Sequence, residues 1–232
     1  YKNFRIYNEL ELVNNFGNYK FKHNSLLDDD VYGSYGIISS DTFINLNENI
    51  KPRLKFVKNM NFISDKIINE NGKALTFNYH NQFSDSRLFG NNLEDNSTRI
   101  IYGLENNFKI LHKRLDLNIN QSYDFKSNTN YTNTINQNSK FSDIAIEAKT
   151  SFDNLFFKID TRLDKNQFEK KEMNYSLNYE NNIDIKLDYH ETNSNSFKNL
   201  SSDTQSLGVN LGKKINENFK ISMNSNLDLK NN

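Results

Sequence analysis

The fold is decided by residues 81–104, which read NQFSDSRLFGNNLEDNSTRIIYGL. A run in which every second residue is apolar leads into this stretch at Leu75, Phe77 and Tyr79. A second such run leads out of it at Ile100, Tyr102 and Leu104. Because side chains alternate between the two faces of a strand, both runs predict β-strands, joined here by a polar loop that contains glycine.

The same alternation continues through most of the chain. One face of each run is apolar, as at Leu177, Leu187 and Val209, while the other carries residues such as Asp184, Lys186 and Asp188. Runs of about 9–11 residues are long enough for a tilted strand to cross a bilayer. The pattern predicts an all-β fold: roughly a dozen antiparallel up-and-down strands that form part of a larger transmembrane β-barrel. We expect residues 1–232 to belong to a single barrel domain.

The connections between the runs are alternately short and long. Short turns are predicted at 153–154, 180–182 and 216–218, and a further short link at 106–113. Longer polar stretches lie at 81–97, 126–140, 164–170 and 192–202. Outer-membrane barrels have short periplasmic turns and long extracellular loops. We therefore expect the longer stretches, including 81–97, on the outside of the cell. The first third is less regular, with two or three strands in 19–46 and an excursion at 58–72.

The composition narrows the class of protein. With 29 basic and 29 acidic residues, the chain has no basic excess of the kind that binds nucleic acid. It contains no cysteine, which excludes disulfides and thiolate chemistry. The mean hydropathy is −0.82, yet 18 Phe and 12 Tyr are present. A barrel combines these two features because only every second strand residue meets lipid. The opening residues lack the apolar core of a signal peptide, so we expect a longer exported precursor.

The chain has no motif that predicts catalysis or a metal site. The four histidines, His23, His80, His112 and His190, show no metal-ligand spacing, and no nucleophile or phosphate-loop motif occurs. Charged residues that share strand faces fit a water-facing wall better than catalytic pairs. They are Glu9 with Glu11, Asp160 with Arg162, and Asp184 with Lys186 and Asp188. We expect neither an enzyme nor a cofactor.

The order of elements in residues 81–104 resembles the barrel domain of the lipopolysaccharide-assembly family LptD, also called organic-solvent-tolerance proteins. The family signature reads roughly N-L-F-S-x-N-R-F-S-G-x-D-R-I-E-D-G-x-R-x-x-Y-G-L. The matching elements here are Phe83-Ser84, Ser86-Arg87, Phe89-Gly90, Leu93-Glu94-Asp95, Arg99 and Tyr102-Gly103-Leu104. The chain departs from the signature after Gly90, where it is one residue shorter and lacks the Asp-Arg pair.

The resemblance implies a function in the outer membrane of a Gram-negative bacterium. Such a barrel passes lipopolysaccharide into the outer leaflet with no chemical step. The implied partners are lipopolysaccharide, outer-membrane lipid, a plug lipoprotein of the LptE type and periplasmic bridge proteins. We expect the signature loop to support structure and assembly, with Arg87 and Arg99 pairing with Glu94 and Asp95 or touching glycolipid phosphates. Its residues are Phe83, Ser84, Arg87, Phe89, Gly90, Glu94, Asp95, Arg99, Tyr102 and Gly103.

Two other functions remain open at this point. The chain could belong to another outer-membrane barrel, such as a porin or a receptor for solutes or siderophores. It could also be a soluble, adhesin-like β-structural protein at the cell surface. Residues 81–104 favour an LptD-like barrel over a porin or receptor. A requirement for detergent would exclude a soluble protein.

Overall fold

The computed structural model of the chain describes most of the sequence. The described residues are 4–14, 17–28, 31–44, 49–61, 73–74, 78–85, 88–89, 97–110, 113–125, 140–194, 202–215 and 219–230. Within them, the elements in chain order are β1 (Phe4–Asn14), β2 (Gly17–Asp28), β3 (Val31–Phe43), β4 (Ile50–Asn61), β5 (Lys73–Ala74), α1 (Tyr79–Gln82), β6 (Leu88–Phe89), β7 (Thr98–Ile110), β8 (Lys113–Asp124), β9 (Ile144–Phe152), β10 (Leu155–Leu163), β11 (Lys170–Glu180), β12 (Ile183–Thr192), β13 (Thr204–Lys214) and β14 (Lys220–Asp228).

Twelve of these strands form one sheet in the order β1-β2-β3-β4-β7-β8-β9-β10-β11-β12-β13-β14, and every neighbouring pair is antiparallel. The predicted all-β, up-and-down meander of roughly a dozen strands is confirmed. Within the described residues the sheet is open, because β1 and β14 each have a neighbour on one side only. This open antiparallel meander is consistent with a section of a barrel wall. The strands β5 and β6 form a separate two-stranded ribbon.

The pairing register separates an apolar face from a polar face. Leu187 of β12 lies opposite Leu177 of β11 and Val209 of β13. One position along, Lys186 lies opposite Asn178 and Asn210. Paired residues of neighbouring strands project to the same side of a sheet. The predicted division is thus confirmed for these strands, and we call the two sides the apolar face and the polar face.

The connections at the two ends of the strands differ in length. Short turns join the strands at 153–154 and 181–182, as predicted. The link predicted at 106–113 is shorter than expected, because β7 continues to Ile110 and Asn106 pairs with Leu117. The connection 164–169 and the chain between β4 and β7 lie at the opposite ends of the strands. We call the end with the short turns the turn end and the end with the longer connections the loop end. Parts of the connections 126–140, 192–202 and 216–218 lie outside the described residues.

The strand predicted at Tyr79 is wrong, because Tyr79 begins the short helix α1. The side chain of Asn78 accepts a hydrogen bond from the amide of Asn81 at 2.8 Å and so caps the turn. The hydroxyl of Ser84 donates to the carbonyl of Asn81 at 2.6 Å at the other end. Leu75 and Phe77, predicted as part of the same strand, lie outside the described residues. In the described part of the chain, no helix is long and apolar enough to span a membrane.

Candidate functional site: the signature segment on the polar face

Residues 78–85, which we call the signature segment, lie against the polar face of the sheet. Tyr79 and Phe83 pack onto an apolar patch of three strand residues, Ile37, Val57 and Ile101, and all five are buried. Burying a large apolar side chain stabilises a fold by about 1.5–3 kcal/mol. The polar face therefore has a small hydrophobic core of its own, which the signature segment covers.

Phe83 requires a glycine beneath it. A Cβ atom built on Gly103 of β7 would lie 3.0 Å from the Phe83 ring and 2.9 Å from the carbonyl oxygen of Ile119. The distance to the Ile119 oxygen is shorter than real Cβ contacts, and that oxygen belongs to the backbone, which does not move aside easily. The distance to the Phe83 ring is also tight. The Tyr102-Gly103-Leu104 element thus contains glycine because the aromatic ring of the signature segment occupies the space of a side chain.

Arg53 of β4 also packs against the Phe83 ring. Its guanidinium lies 4.0 Å from the ring centroid, a cation–π distance. The same group binds both carboxylate oxygens of Asp41 at 2.7 and 3.0 Å and approaches Glu105 at 3.4 Å. Because the guanidinium is fixed by two carboxylates, it presents a rigid surface to the ring.

Two further cations bind the backbone of the signature segment. Lys55 donates to the carbonyl of Phe83 at 2.6 Å and pairs with Asp85 at 2.7 Å. Arg99 is fully buried, and one of its nitrogens donates to the carbonyls of Ser84 at 2.7 Å and Asp85 at 3.1 Å. Fixed positive charges thus satisfy the carbonyl groups that follow the helix, where the helix dipole is negative.

The signature segment lies on the polar face at a considerable distance from the loop end of the strands. Phe83 lies over Gly103, which is five residues beyond Thr98, where β7 begins at the loop end. At about 3.4 Å per residue this corresponds to about 17 Å along the strand. Residues 81–85 therefore lie against the polar face of the strands and do not project beyond the loop end. The side of the membrane that residues 81–97 face stays a prediction.

A protein-family model described as "LptD: LPS transport system D" matches residues 38–223, from β3 to the middle of β14. The chain belongs to the LptD family. The matched region contains the signature segment and β4, β7, β8 and β9, together with the second half of β3. A comparison with curated proteins gave no match. The LptD family consists of outer-membrane proteins of Gram-negative bacteria, and membership places the chain in lipopolysaccharide transport and outer-membrane assembly.

In this LptD-family chain, polar contacts extend the signature segment across β8 and the start of β9. The amide of Asn120 donates to the carbonyl of Tyr79 at 2.6 Å. The side-chain amide (Nε2) of Gln82 donates to the backbone carbonyl of Asp143 at 3.1 Å. The hydroxyl of Ser142 donates to the Asp143 carbonyl at 2.8 Å and lies 3.5 Å from the Gln82 side-chain oxygen. Buried polar groups cost stability unless they are paired, and here the pairing fixes the position of the helix.

Two acidic residues of the polar face anchor the helix itself. The Tyr79 hydroxyl donates to Glu105, and burial together with this carboxylate raises the pKa of Tyr79 far above its ordinary value. His80 approaches Glu147 at 2.8 Å. The Glu147 side chain is fully buried among the cations Lys149 and Lys158, at 3.3 and 3.1 Å. Tyr79 is therefore a permanent hydrogen-bond donor, and Glu147 is a charged anchor for the exposed His80 ring.

The structure brings together four of the ten residues predicted for the signature loop: Phe83, Ser84, Arg99 and Gly103. Tyr102 points to the apolar face, where its hydroxyl donates to Gln121 at 2.5 Å. The backbone of Phe89 lies in β6, paired with Lys73. Arg87, Gly90, Glu94 and Asp95 lie outside the described residues. Arg99 contacts the backbone carbonyls of Ser84 and Asp85. Its pairing with Glu94 or Asp95 stays a prediction, because both acidic residues lie outside the described residues.

Sequence reasoning missed the strand residues that receive the signature segment. Arg53 and Lys55 come just after the sole proline, Pro52. They are two positions apart, so the sequence shows that they share a strand face but does not show which residues they contact. Asn120 and Glu147 carry no local signal, because their partners lie 41 and 67 residues away.

The site has the chemistry of an anchor. Its cations and carboxylates bind one another and the backbone of the signature segment, in the arrangement expected of a packing device. No group of three or more histidine, aspartate or glutamate side chains in the described residues could hold a metal ion.

Proposed function

We propose that the chain is part of the outer-membrane β-barrel that delivers lipopolysaccharide to the outer leaflet. Residues 1–232 would form a section of one barrel domain, with the apolar face on lipid and the polar face lining a water-filled lumen. The observation that carries this proposal is the twelve-stranded meander with one apolar and one charged face, in a chain of the LptD family.

The two faces fit the two parts of the cargo. A charged, hydrated wall suits the saccharide of lipopolysaccharide, while its acyl chains must leave sideways, between strands, to reach the bilayer. The plug lipoprotein of the LptE type and the periplasmic bridge proteins are the partners that this transport function requires. Transport of this kind includes no chemical step, in keeping with a polar face whose charged groups form ion pairs.

For the signature segment we propose a role in assembly. Phe83, Ser84, Arg99 and Gly103 join it to the wall, and we assign Arg87, Phe89, Gly90, Glu94 and Asp95 to the same structural unit. The Tyr102 side chain lies on the opposite, apolar face. Deletion of residues 83–95 from the full-length protein should lower the amount of mature barrel or make cells sensitive to large hydrophobic antibiotics. Deletion of residues 195–201 from another long connection is the control. Normal assembly and an intact permeability barrier after the first deletion would remove this role.

The transport proposal is tested by depleting the full-length protein in its own cells. Newly made lipopolysaccharide should stop reaching the cell surface, as measured by its accessibility to a reagent that cannot cross the outer membrane. Re-expression of the parent protein should restore delivery. Unchanged delivery combined with a loss of small-solute uptake would favour a porin or receptor instead.

The orientation of the wall is tested at the two ends of β11. Cysteine at Asn166, in the connection at the loop end, should react with an impermeant thiol reagent on intact cells. Cysteine at Asn181, in the turn at the other end, should react only after the outer membrane is opened. Equal labelling of the two cysteines on intact cells contradicts this orientation.

A further inference from the structure

Of the strand residues whose exposure the structure describes, only one places a large, exposed apolar side chain on the polar face. Phe43 is the last residue of β3, at the turn end, and its ring is 44 % exposed. It pairs with Arg53, which in turn pairs with Gly103 beneath the signature segment, so the three residues share the polar face. The ring is therefore an aromatic surface on a wall that otherwise presents polar groups to solvent.

The Phe43 ring is fixed in place by Arg53. The guanidinium lies 4.7 Å from the Phe43 ring centroid, a cation–π distance, while it also contacts Phe83. The amide of Ile44 donates to the carbonyl of Pro52 at 2.9 Å, which continues the pairing of β3 with β4 just beyond Phe43. Because the ring is already ordered, a ligand that packs on its exposed part does not have to immobilise it.

A carboxylate with an available oxygen lies beside the ring. Glu105 contacts the same Arg53 guanidinium, through Oε1 at 3.4 Å, and this oxygen also accepts from the Tyr79 hydroxyl. The other oxygen, Oε2, accepts no hydrogen bond from the part of the chain that the structure describes, and the side chain is 26 % exposed. Since each carboxylate oxygen has lone pairs for two donors, Oε2 can accept from a ligand.

We propose that Phe43 is a stacking platform for a sugar ring of the saccharide that moves along the polar face, and that Glu105 accepts hydrogen bonds from the hydroxyl groups of that sugar. This inference rests on the proposed function, because it requires the polar face to line the lumen. The C–H groups on one side of a sugar ring are weakly positive and are attracted to the negative face of an aromatic ring. Hydroxyl groups at the edge of the sugar bind well to a carboxylate.

The acyl chains of lipopolysaccharide fit this place less well than its sugars. An acyl chain packed on Phe43 would also cover Asp41, Arg53 and Glu105, and their charges would lose contact with water. A protein partner is expected to bury several apolar residues inside a polar border. Phe43 is instead a single exposed ring among charged groups, a combination that matches one sugar unit.

The platform is tested by the binding of free saccharide to the full-length protein in detergent. The probe is the oligosaccharide released by mild acid from the lipopolysaccharide of the same cells, and binding is followed by saturation-transfer NMR. Phe43→Leu keeps an apolar side chain but removes the ring, whereas Phe43→Tyr keeps the ring. Phe152→Leu is the matched control, because Phe152 is 45 % exposed at the turn end of β9 but lies on the apolar face beside Leu155.

We expect Phe43→Leu to weaken oligosaccharide binding about tenfold, the equivalent of one good aromatic contact. Phe43→Tyr and Phe152→Leu should bind like the parent protein. Unchanged binding by Phe43→Leu overturns the platform, and so does an equal loss in Phe152→Leu. A loss confined to intact lipopolysaccharide would place acyl chains on the ring, and a loss confined to recovery of the plug lipoprotein would place a protein there. Either result overturns the proposal.

Glu105→Gln tests the carboxylate. The variant should bind the oligosaccharide more weakly than the parent protein, because an amide oxygen is a weaker acceptor than a carboxylate oxygen. Its own amide oxygen still accepts from Tyr79, so the signature segment keeps this contact. Equal binding by the parent protein and the variant overturns the role assigned to Glu105.

Phe43→Trp gives a second measurement that does not depend on the leucine variant. The chain contains no tryptophan, and emission is taken as the difference from the full-length parent protein. Saturating oligosaccharide should shift the emission at position 43 to shorter wavelength and protect it from iodide, while Phe152→Trp should not respond. An unchanged spectrum at position 43 contradicts the platform. Delivery of lipopolysaccharide is measured separately by depletion, so the platform can fail while the transport function stands, and the reverse.

Discussion

Two parts of the same sheet use their polar faces in opposite ways. In the covered part, β4 and β7–β9, the signature segment buries the polar face, and Arg99, Asn120 and Glu147 are almost inaccessible. In the open part, β11–β14, corresponding positions such as Asn210 and Asn224 are exposed. Both parts alternate apolar and polar residues, but the polar face of the covered part also carries the apolar residues Val57 and Ile101, which pack with Ile37 of β3.

The comparison shows that alternation determines which side of a strand is polar but not what the polar side contacts. In the covered part, buried charges and amides are paired with specific backbone groups, so each one contributes to a fixed arrangement. In the open part, ion pairs such as Lys186 with Asp188, at 2.9 Å, remain in contact with water. Substitutions of the same kind should therefore have different consequences in the two parts.

The largest difference is expected for a buried cation against an exposed one. Arg99→Met should lower the free energy of unfolding by about 4 kcal/mol, because the carbonyls of Ser84 and Asp85 lose a charged donor inside the structure. Lys186→Met should change it by about 1 kcal/mol or less. The measurement is the urea midpoint of the full-length protein refolded in lipid vesicles. Equal losses would mean that the signature segment does not depend on Arg99.

The division into faces is tested within the open part. Leu187→Arg should lower the free energy of unfolding by about 3 kcal/mol, because a charge on the apolar face must enter lipid. Asp188→Asn on the polar face should cost about 1 kcal/mol or less, since its partners Ser176 and Lys186 remain near water. The same vesicle assay applies. Losses of similar size would show that β12 does not separate lipid from water.

Two glycines provide a closer comparison. Gly103→Ala should cost about 2 kcal/mol, because the new methyl group meets the Phe83 ring and the Ile119 carbonyl. At Gly208 in β13 the nearest atom to an added Cβ is 3.6 Å away, an ordinary contact. Gly208→Ala should therefore stabilise the strand by about 0.5 kcal/mol. A neutral result at Gly103, read from the unfolding midpoints, would show that Phe83 does not occupy the space above it.

The smallest effect is expected in the β10–β11 turn and depends on pH. The carboxylate of Asp164 accepts hydrogen bonds from the amides of Asn166 at 2.8 Å and Gln167 at 3.0 Å and pairs with Lys171 at 2.9 Å. Partial burial alone would raise the pKa of Asp164, but these contacts lower it from 3.8 to about 2. Its contribution is therefore fully present above pH 3.8 and is lost as pH falls through about 2. Hydrogen exchange at the amides of Asn166 and Gln167, measured by mass spectrometry, should become faster relative to free peptide over this range. Asp164→Asn should abolish the pH dependence. A dependence that persists in this variant would show that another group holds the turn.

The sequence predicted the sheet well because alternation is a local property. The runs at Leu177, Leu187 and Val209 lie where a period of two places them, and the short turns at 153–154 and 181–182 follow the polar breaks. Long strands with one apolar face leave few other structures possible. The approximate strand number and the antiparallel order follow from the same pattern.

The sequence did not predict the path of residues 78–85. Three alternating residues ending at Tyr79 indicated a strand, but the side chain of Asn78 forms a cap that turns the chain into a helix. The inward position depends on Phe83 meeting Gly103 and on His80 meeting Glu147, contacts that no local period encodes. The family resemblance identified the important region and named Phe83, Ser84, Arg99 and Gly103, but not the strand face that binds them.

The order of the elements along the chain limits the order in which contacts can form during folding. The signature segment is made after β4 but before β7, β8 and β9, on which it rests; Gln82 and His80 reach partners 61 and 67 residues later. Closing such distant contacts is slow, because the loop entropy must be lost before any contact forms. The segment can form all of its contacts only after β9 has joined the sheet. A helix α1 packed against the polar face therefore requires that β7, β8 and β9 have already paired in the correct register.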